Sequence, residues 1–412
     1  MGASPVLPPV IVVGAGQGGL QVAESLRSEG FSGDILLLGA EHHAPYHRPP
    51  LSKGLLLGET TAGQVLIRQP AVFDKKGITL RTGTRVAGLD PAARQIVLET
   101  GERLEYQALV LATGARPRRL PVPGADARGV HSIRTLDDAQ AIGAELAAAE
   151  NVVVIGGGFI GLEMAAVARK LGKAVTVVEA ADRLMARVVA PPVSDHYRAL
   201  HEGHGVTILF GTAVAGIAVE DGTARGVRCA DGTMLPADLV VLGIGVEPET
   251  VLAEGAGLVC DRGVVVDGCG RTSHPDIYAI GDCAARRLPD GQCQRLESVQ
   301  NAVELGKACA AAIVGPDKPF IAAPWFWSDQ YDAKLQMVGL SAGHDTVVAR
   351  QDGATCSWFY FKDGRLIAID SVNRPADHMA GRKLLAGPNV LTPEMAADGA
   401  YPLKDAMTAP VA

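Results

Sequence analysis

The chain has 412 residues, enough for two or three domains, and 48% of them are hydrophobic, the composition of a globular protein with sizeable cores. Forty-nine glycines, an aromatic content of 4% and a net charge of −7 suit α/β architecture with many tight turns and argue against a nucleic-acid binder, which needs a basic surface. The longest strand-like apolar run, Leu239 to Val246, falls far short of the roughly 18 to 20 residues that cross a bilayer, so no membrane partner is expected.

Met1 to Val6 show no basic segment leading into an apolar one, which gives the expectation of a cytoplasmic protein. The apolar run Val10 to Val13 then leads into Gly14-Ala15-Gly16-Gln17-Gly18-Gly19, followed by a helical pattern from Leu20 to Glu29. Strand, glycine turn and helix together form a dinucleotide fingerprint: Gly14 permits the turn, Gly16 lets the backbone approach a pyrophosphate, and Gly19 allows close helix-to-strand packing. The phosphates would sit on the helix N-terminus, where unpaired N–H groups favour anions. A second strand, Ile35 to Leu38, ends near Glu41, 22 positions after Gly19, close to the ~20 at which an acid takes the ribose hydroxyls.

Leu111-Ala112-Thr113-Gly114-Ala115 reads as a strand entering a turn, and Arg116-Pro117 through Pro123-Gly124 as a boundary. The fingerprint then recurs: strand Asn151 to Ile155, Gly156-Gly157-Gly158-Phe159-Ile160-Gly161, helix Leu162 to Leu171, strand Ala174 to Val178 and then Glu179, 18 residues past Gly161. A carboxylate there repels a 2′-phosphate and favours NAD over NADP, although Arg183 stands four residues on. Beyond the motif the two segments share little, which favours two different dinucleotides over a duplication without function. Gly245-Val246-Glu247-Pro248 marks a second boundary, and strands Ser357 to Phe361 and Leu366 to Ser371 around Lys362-Asp363-Gly364 suggest a small antiparallel C-terminal sheet.

Seven scattered cysteines contain no Cys-x-x-Cys pair, and the first is Cys229, so reduced thiols are expected and neither an iron–sulfur cluster nor a redox dithiol has its spacing. His42-His43, His47 and His201-x-x-His204 lack zinc spacing. No metal site is expected.

Several segments carry a resemblance. Leu111 to Ala115 and Ile277-Tyr278-Ala279-Ile280-Gly281-Asp282 look like two-dinucleotide flavoproteins of the glutathione-reductase type, in which an NAD domain interrupts an FAD domain. Arg48-Pro49-Pro50-Leu51-Ser52-Lys53 stands where disulfide reductases and NADH peroxidases place their cysteines. That segment, Arg134 to Ala139, Arg295 to Ala302 and Trp327-Ser328-Asp329-Gln330 together resemble the oxygenase-coupled, FAD-dependent NADH:ferredoxin reductases.

The resemblance implies an α/β fold of two Rossmann-like domains plus a small α+β domain: FAD at 1–116 and 248–324, NAD at 117–247, and a C-terminal domain at 325–412. It implies cofactors FAD and NADH. It places Gly14, Gly16, Gly19, Glu41, Arg48, Lys53, Thr113, Gly114, Arg134, Gly281, Asp282 and Glu297 around FAD, and Gly156, Gly158, Gly161 and Glu179 around NADH. Lys53 would steady the reduced flavin, Glu163 would orient the nicotinamide, and Trp327 would adjoin the flavin. Plainer readings exist for several of these residues: Lys53 as a surface lysine, Arg48 and Arg134 as solvated ion pairs, Asp282 as a helix cap, Glu163 as an acid favouring its helix dipole, and Trp327 as core. The implied reaction passes electrons singly from NADH to a separate 2Fe-2S ferredoxin feeding a haem monooxygenase or ring-hydroxylating dioxygenase. A rubredoxin partner, a partnerless NADH oxidase and an NADH-sensing flavoprotein are the alternatives, and a monomer or weak homodimer is expected.

Overall fold

The computed structural model describes residues 7–407; the segment Met1 to Val6, read above for a targeting signal, lies outside them. The chain forms two compact units. The first combines the described part of Met1–His47 with Gly63–Arg116 and Val246–Ala322; the second combines Arg48–Ala62, Pro117–Gly245 and the described part of Ala323–Ala412.

In the first unit the runs Val10–Val13, Ile35–Leu38 and Ala108–Leu111 are wholly buried strands. Continuous aliphatic runs of this kind suit parallel strands covered on both faces. They form a parallel sheet in the order Ile277–Ala279, Ala108–Leu111, Val10–Val13, Ile35–Leu38, Ile78–Arg81. Helix Gln17–Ser28 buries Leu20, Val22, Ala23 and Leu26, each contributing up to roughly 1.5–3 kcal/mol for a large aliphatic side chain, and packs against helix Val299–Val314. The helix starts at Gln17 rather than the expected Leu20, because Gly18 and Gly19 lie inside its first turn. An antiparallel sheet of Val86–Asp90, Gln95–Leu98 and Arg103–Glu105 completes this plan.

The second unit repeats it. Its parallel sheet runs Thr207–Leu209, Ala174–Val178, Asn151–Ile155, Leu239–Leu242, Val130–Ser132, with an antiparallel sheet of Val214–Glu220, Thr223–Cys229 and Met234–Pro236. Helix Phe159–Lys170 follows the second glycine turn, again three residues ahead of the expected start.

The same unit contains the C-terminal sheet, antiparallel in the order Trp325–Gln330, Ala333–Gly339, Arg365–Val372, Thr355–Lys362, Thr346–Asp352, with helix Pro375–Ala386 packed against it. The two expected strands are its long central pair. Among the described residues no helix is long and apolar enough to cross a membrane.

Candidate functional site

The first glycine turn is built as its spacing demands. Gly14 has φ +111°, and a Cβ there would fall on the Ala112 carbonyl; a Cβ on Gly19 would fall on the Gly14 carbonyl. Gly16 differs: a Cβ there meets nothing within 4 Å, so the backbone faces open space. No side chain caps helix Gln17–Ser28 at Gly16, which leaves its first N–H groups turned toward that space. A dinucleotide pyrophosphate fits this cradle. At the end of the next strand Glu41 accepts a hydrogen bond from the Tyr46 hydroxyl.

Two further segments of the first unit behave as a frame. The Thr113 hydroxyl donates to the Glu249 carbonyl at 2.7 Å, the Glu249 N–H returns to the Gly114 carbonyl at 2.9 Å, and Gly114 has φ +74°. Thr113 and Gly114 therefore close the chain on itself. Gly281, at φ +71°, opens the short helical turn Gly281–Cys283 that presents Asp282. The Arg295 guanidinium ties this turn to Glu297, reaching the Asp282 carbonyl at 3.3 Å and the Glu297 carboxylate at 2.6 Å.

The second turn reproduces the first. Gly156 has φ +105°, a Cβ on Gly161 would fall on the Gly156 carbonyl, and Gly158 stands clear with its nearest neighbour 3.8 Å from a Cβ. No side chain caps helix Phe159–Lys170. Glu179 reaches back into the turn, accepting from the Gly157 N–H at 2.6 Å and the Ala181 N–H at 2.7 Å. Its carboxylate thereby lies against the backbone of the glycine turn. Arg183 is committed elsewhere, to Val189 and Ala186 carbonyls and the Ser194 hydroxyl at 2.7–2.9 Å.

Two residues past Gly161, Glu163 is 2% exposed. Its Oε2 meets Lys53 Nζ at 2.7 Å and accepts from the Ser52 hydroxyl at 2.5 Å, and its Oε1 accepts from the Ser328 hydroxyl at 2.6 Å. Burial pushes this carboxyl up from its ordinary range, while the Lys53 ammonium and the two hydroxyls pull it back. Lys53 is not a free surface lysine; it sits with its side chain 19% exposed in an ion pair. The prolines make this possible, since Pro49–Ser52 form a single 3₁₀ turn that brings Ser52 and Lys53 to one carboxylate. A buried pair broken by loss of one member typically costs about 3–5 kcal/mol.

The sequence segments gather here unevenly. Arg48 donates to the Arg134 carbonyl, joining the proline turn to the segment in which Thr135 and Asp138 cap helix Leu136–Ala148. Trp327 lies on the strand that carries Ser328, with its ring 5.6 Å from that of Trp325 and 6.3 Å from that of Phe326.

Sequence reading assigned no role to Ser52, Ser328, Gln330 or His201, though all are buried polar groups. The signal for two of them was the strand period: Ser328 and Gln330 stand two apart and share the buried face. His201 was read only for zinc spacing. Among the described residues no group of three or more His, Cys, Asp and Glu is gathered as for a metal. All seven cysteines are free, and burial pushes the thiols of Cys229, Cys260, Cys269, Cys283, Cys309 and Cys356 up, away from the reactive thiolate.

Comparison with known proteins agrees with this construction. The pyridine nucleotide-disulphide oxidoreductase family matches residues 8–306, and a reductase C-terminal family matches residues 325–407. Rhodocoxin reductase of Rhodococcus erythropolis is 47% identical over 398 residues, 96% of this chain and 93% of that protein. The ferredoxin reductase for the CYP199A2 system of Rhodopseudomonas palustris superposes with a TM-score of 0.94 at 45% identity, covering 97% of this chain and all of that one. The reductase of a covalent putidaredoxin reductase–putidaredoxin complex gives a TM-score of 0.94 at 42% identity, with coverage of 97% and 98%. The expected α/β flavoprotein fold, with FAD and a nicotinamide dinucleotide as cofactors, is that of these matches, and the chain belongs to the pyridine nucleotide-disulphide oxidoreductase family, as an oxidoreductase of its ferredoxin-reductase branch.

Proposed function

We propose that the chain passes electrons one at a time from NADH, through FAD, to a separate 2Fe-2S ferredoxin that serves a haem monooxygenase or a ring-hydroxylating dioxygenase. The observation that carries this reading is the buried Lys53–Glu163 pair at the second glycine turn; by the resemblance, the Arg48 to Lys53 segment that supplies its lysine stands where thiol-using members of the superfamily carry a cysteine. FAD, when bound, supplies the ability to accept two electrons together and release them singly, which a nicotinamide lacks. The residues of the chain bind, orient and exclude.

On this reading the turn from Gly14 to Gly19, with Glu41, Thr113, Gly114, Gly281, Asp282 and Glu297, holds FAD. The turn from Gly156 to Gly161 takes the pyrophosphate of NADH, and Glu179 takes its ribose and rejects the 2′-phosphate of NADPH. Glu163 orients the nicotinamide carboxamide, so that the reacting groups meet in one geometry and the transfer becomes effectively unimolecular. Lys53 supplies positive charge toward the flavin and Trp327 covers it, with Arg48 and Arg134 fixing the proline turn that carries Lys53. The names of the relatives, among them rhodocoxin reductase and a reductase captured with putidaredoxin, support a ferredoxin as acceptor. No basic run in the sequence marks a docking patch, so the patch must be assembled from scattered Lys and Arg, and its encounter rate falls as salt rises.

The test is NADH-dependent reduction of cytochrome c by the purified holoenzyme, with and without a 2Fe-2S ferredoxin, repeated with NADPH. Strong stimulation by ferredoxin with NADH, weak with NADPH, is expected. Consumption of NADH that ignores ferredoxin would turn the reading to an oxidase.

A further inference from the structure

Beyond Glu163 the buried polar groups continue in a single file. The Ser328 hydroxyl, which donates to Glu163 Oε1 at 2.6 Å, itself accepts from the Gln330 side-chain N–H at 3.1 Å. Gln330 Oε1 then faces His201 Nε2 at 2.8 Å, and His201 Nδ1 faces the Tyr331 hydroxyl at 3.5 Å. Ser328 and His201 are 0% exposed and Gln330 1%, so the three cannot exchange these partners for water. Tyr331, partly exposed, ends the file, with its ring stacked on His204 at 3.7 Å.

The file has a direction. Ser328 owns one proton, and it can serve Glu163 only if another group donates to its oxygen. The Gln330 amide does so, which leaves the Gln330 carbonyl oxygen as an acceptor and requires His201 to carry its proton on Nε2. Burial favours the neutral ring, lowering His201 to about 4, so one ring nitrogen must be bare; in this arrangement it is Nδ1, facing the Tyr331 hydroxyl. With the proton on Nδ1 instead, the Gln330 amide would turn over, Ser328 would donate to Gln330, and Glu163 Oε1 would lose its hydrogen bond.

We propose that His201 and Gln330, acting through Ser328, are positioning residues that keep Glu163 an oriented carboxylate. They reach Glu163 through the Ser328 hydroxyl. Aligned donors polarise one another, so the last hydrogen bond, the one onto the carboxylate, gains from those behind it. The groups in contact with Glu163 are Lys53 and Ser52 from the proline turn and Ser328 from the C-terminal sheet, and the Tyr197 phenol of helix Pro191–Gly203 lies within its electrostatic reach. Tyr197, itself raised by burial, stays un-ionised, and its hydroxyl has no hydrogen-bond partner among the described residues. His201 is faced by Gln330, Tyr331 and His204. Lys53 is thus the one cation at Glu163 among these groups, and the file supplies a donor from the opposite side.

The inference rests on the reading that Glu163 serves the nicotinamide, and two measurements on the holoenzyme separate them. One is the acid limb of kcat/KM for NADH; the other is the pH titration of the Glu163 carboxyl by infrared difference against Glu163→Gln, which needs no substrate. Ser328→Ala should move both upward by about one pH unit, the size of one lost hydrogen bond to a carboxylate. His201→Phe and Gln330→Leu should move both in the same direction by less, and His201→Gln, whose amide N–H stands near the place of Nε2, should restore them. If His201→Phe fails to fold, Gln330→Leu carries the same comparison. A Ser328→Ala shift with no shift in either His201→Phe or Gln330→Leu would reduce the file to scaffold and overturn the proposal. If Glu163→Gln leaves kcat/KM untouched while the infrared titration still follows the file, the nicotinamide reading fails and the file stands.

Discussion

The two glycine turns share one construction, a positive-φ glycine whose carbonyl bars a Cβ on the last glycine, and differ in what stands two residues beyond them. After Gly19 comes Gln21, whose amide goes to its own helix, donating to the Ser25 hydroxyl at 2.9 Å. After Gly161 comes Glu163, buried among Lys53, Ser52 and Ser328. The same backbone device therefore stands once without and once with a buried charged group beside it.

The largest effects should come from the turns themselves. Gly14→Val places a side chain on the Ala112 carbonyl and should give protein that retains almost no flavin, measured as the ratio of flavin to protein absorbance. Gly156→Val should leave the protein yellow yet raise KM for NADH by roughly 100-fold or more, because only the second pyrophosphate site is filled. If both variants lose flavin equally, the division of labour between the turns is wrong.

Next in size is the residue that distinguishes them. Glu163→Gln should lower kcat/KM for NADH by about 10- to 100-fold, whereas Gln21→Leu should leave it within about twofold. Comparable losses in the two variants would make the carboxylate incidental. Smaller again is the ribose acid: Glu179→Ala should lower the preference for NADH over NADPH by about tenfold, read from the ratio of kcat/KM values, and an unchanged ratio would point to another discriminator.

The smallest effect concerns an acid outside both turns. Asp370, bonded to the Tyr360 hydroxyl at 2.7 Å in the C-terminal sheet, is pushed up to about 7 by burial. Its folded state keeps a proton that the unfolded chain releases near pH 4, so stability falls as pH rises between those values and the contribution is gone above about 7. Asp370→Asn should therefore melt a few degrees higher than the native chain at pH 8, with the difference shrinking toward pH 5. A difference that does not vary with pH would show that Asp370 is paired better than its burial suggests.

Both turns were legible in the sequence because everything that makes them is local: an aliphatic strand, three glycines and a helix within 20 residues. The helix starts were misread, each by three residues, since glycine is a poor helix former and yet the first turn of each helix contains glycine. Lys53 and Glu163 were each named, through resemblance, but their ion pair spans 110 positions, and no periodicity reaches that far. Ser52, Ser328, Gln330 and His201 were illegible for a different reason. A buried serine looks like any other serine until the fold shows what its proton must satisfy.

The interleaving of the two units also bears on how the protein is made. The chain passes from one unit to the other after residues 47, 62, 116, 245 and 322. On a ribosome, the segment 48–62 emerges long before the helix that will receive it, and the first parallel sheet waits for Ile277–Ala279 to supply its edge strand. The first unit cannot close until residue 322 has been made and the second needs the segment that follows it, so no contiguous fragment of the gene encodes either unit alone. A truncated product would expose half-built sheets with unpaired edges, so faithful synthesis of this chain depends on protecting its nascent form until about residue 320 has left the tunnel.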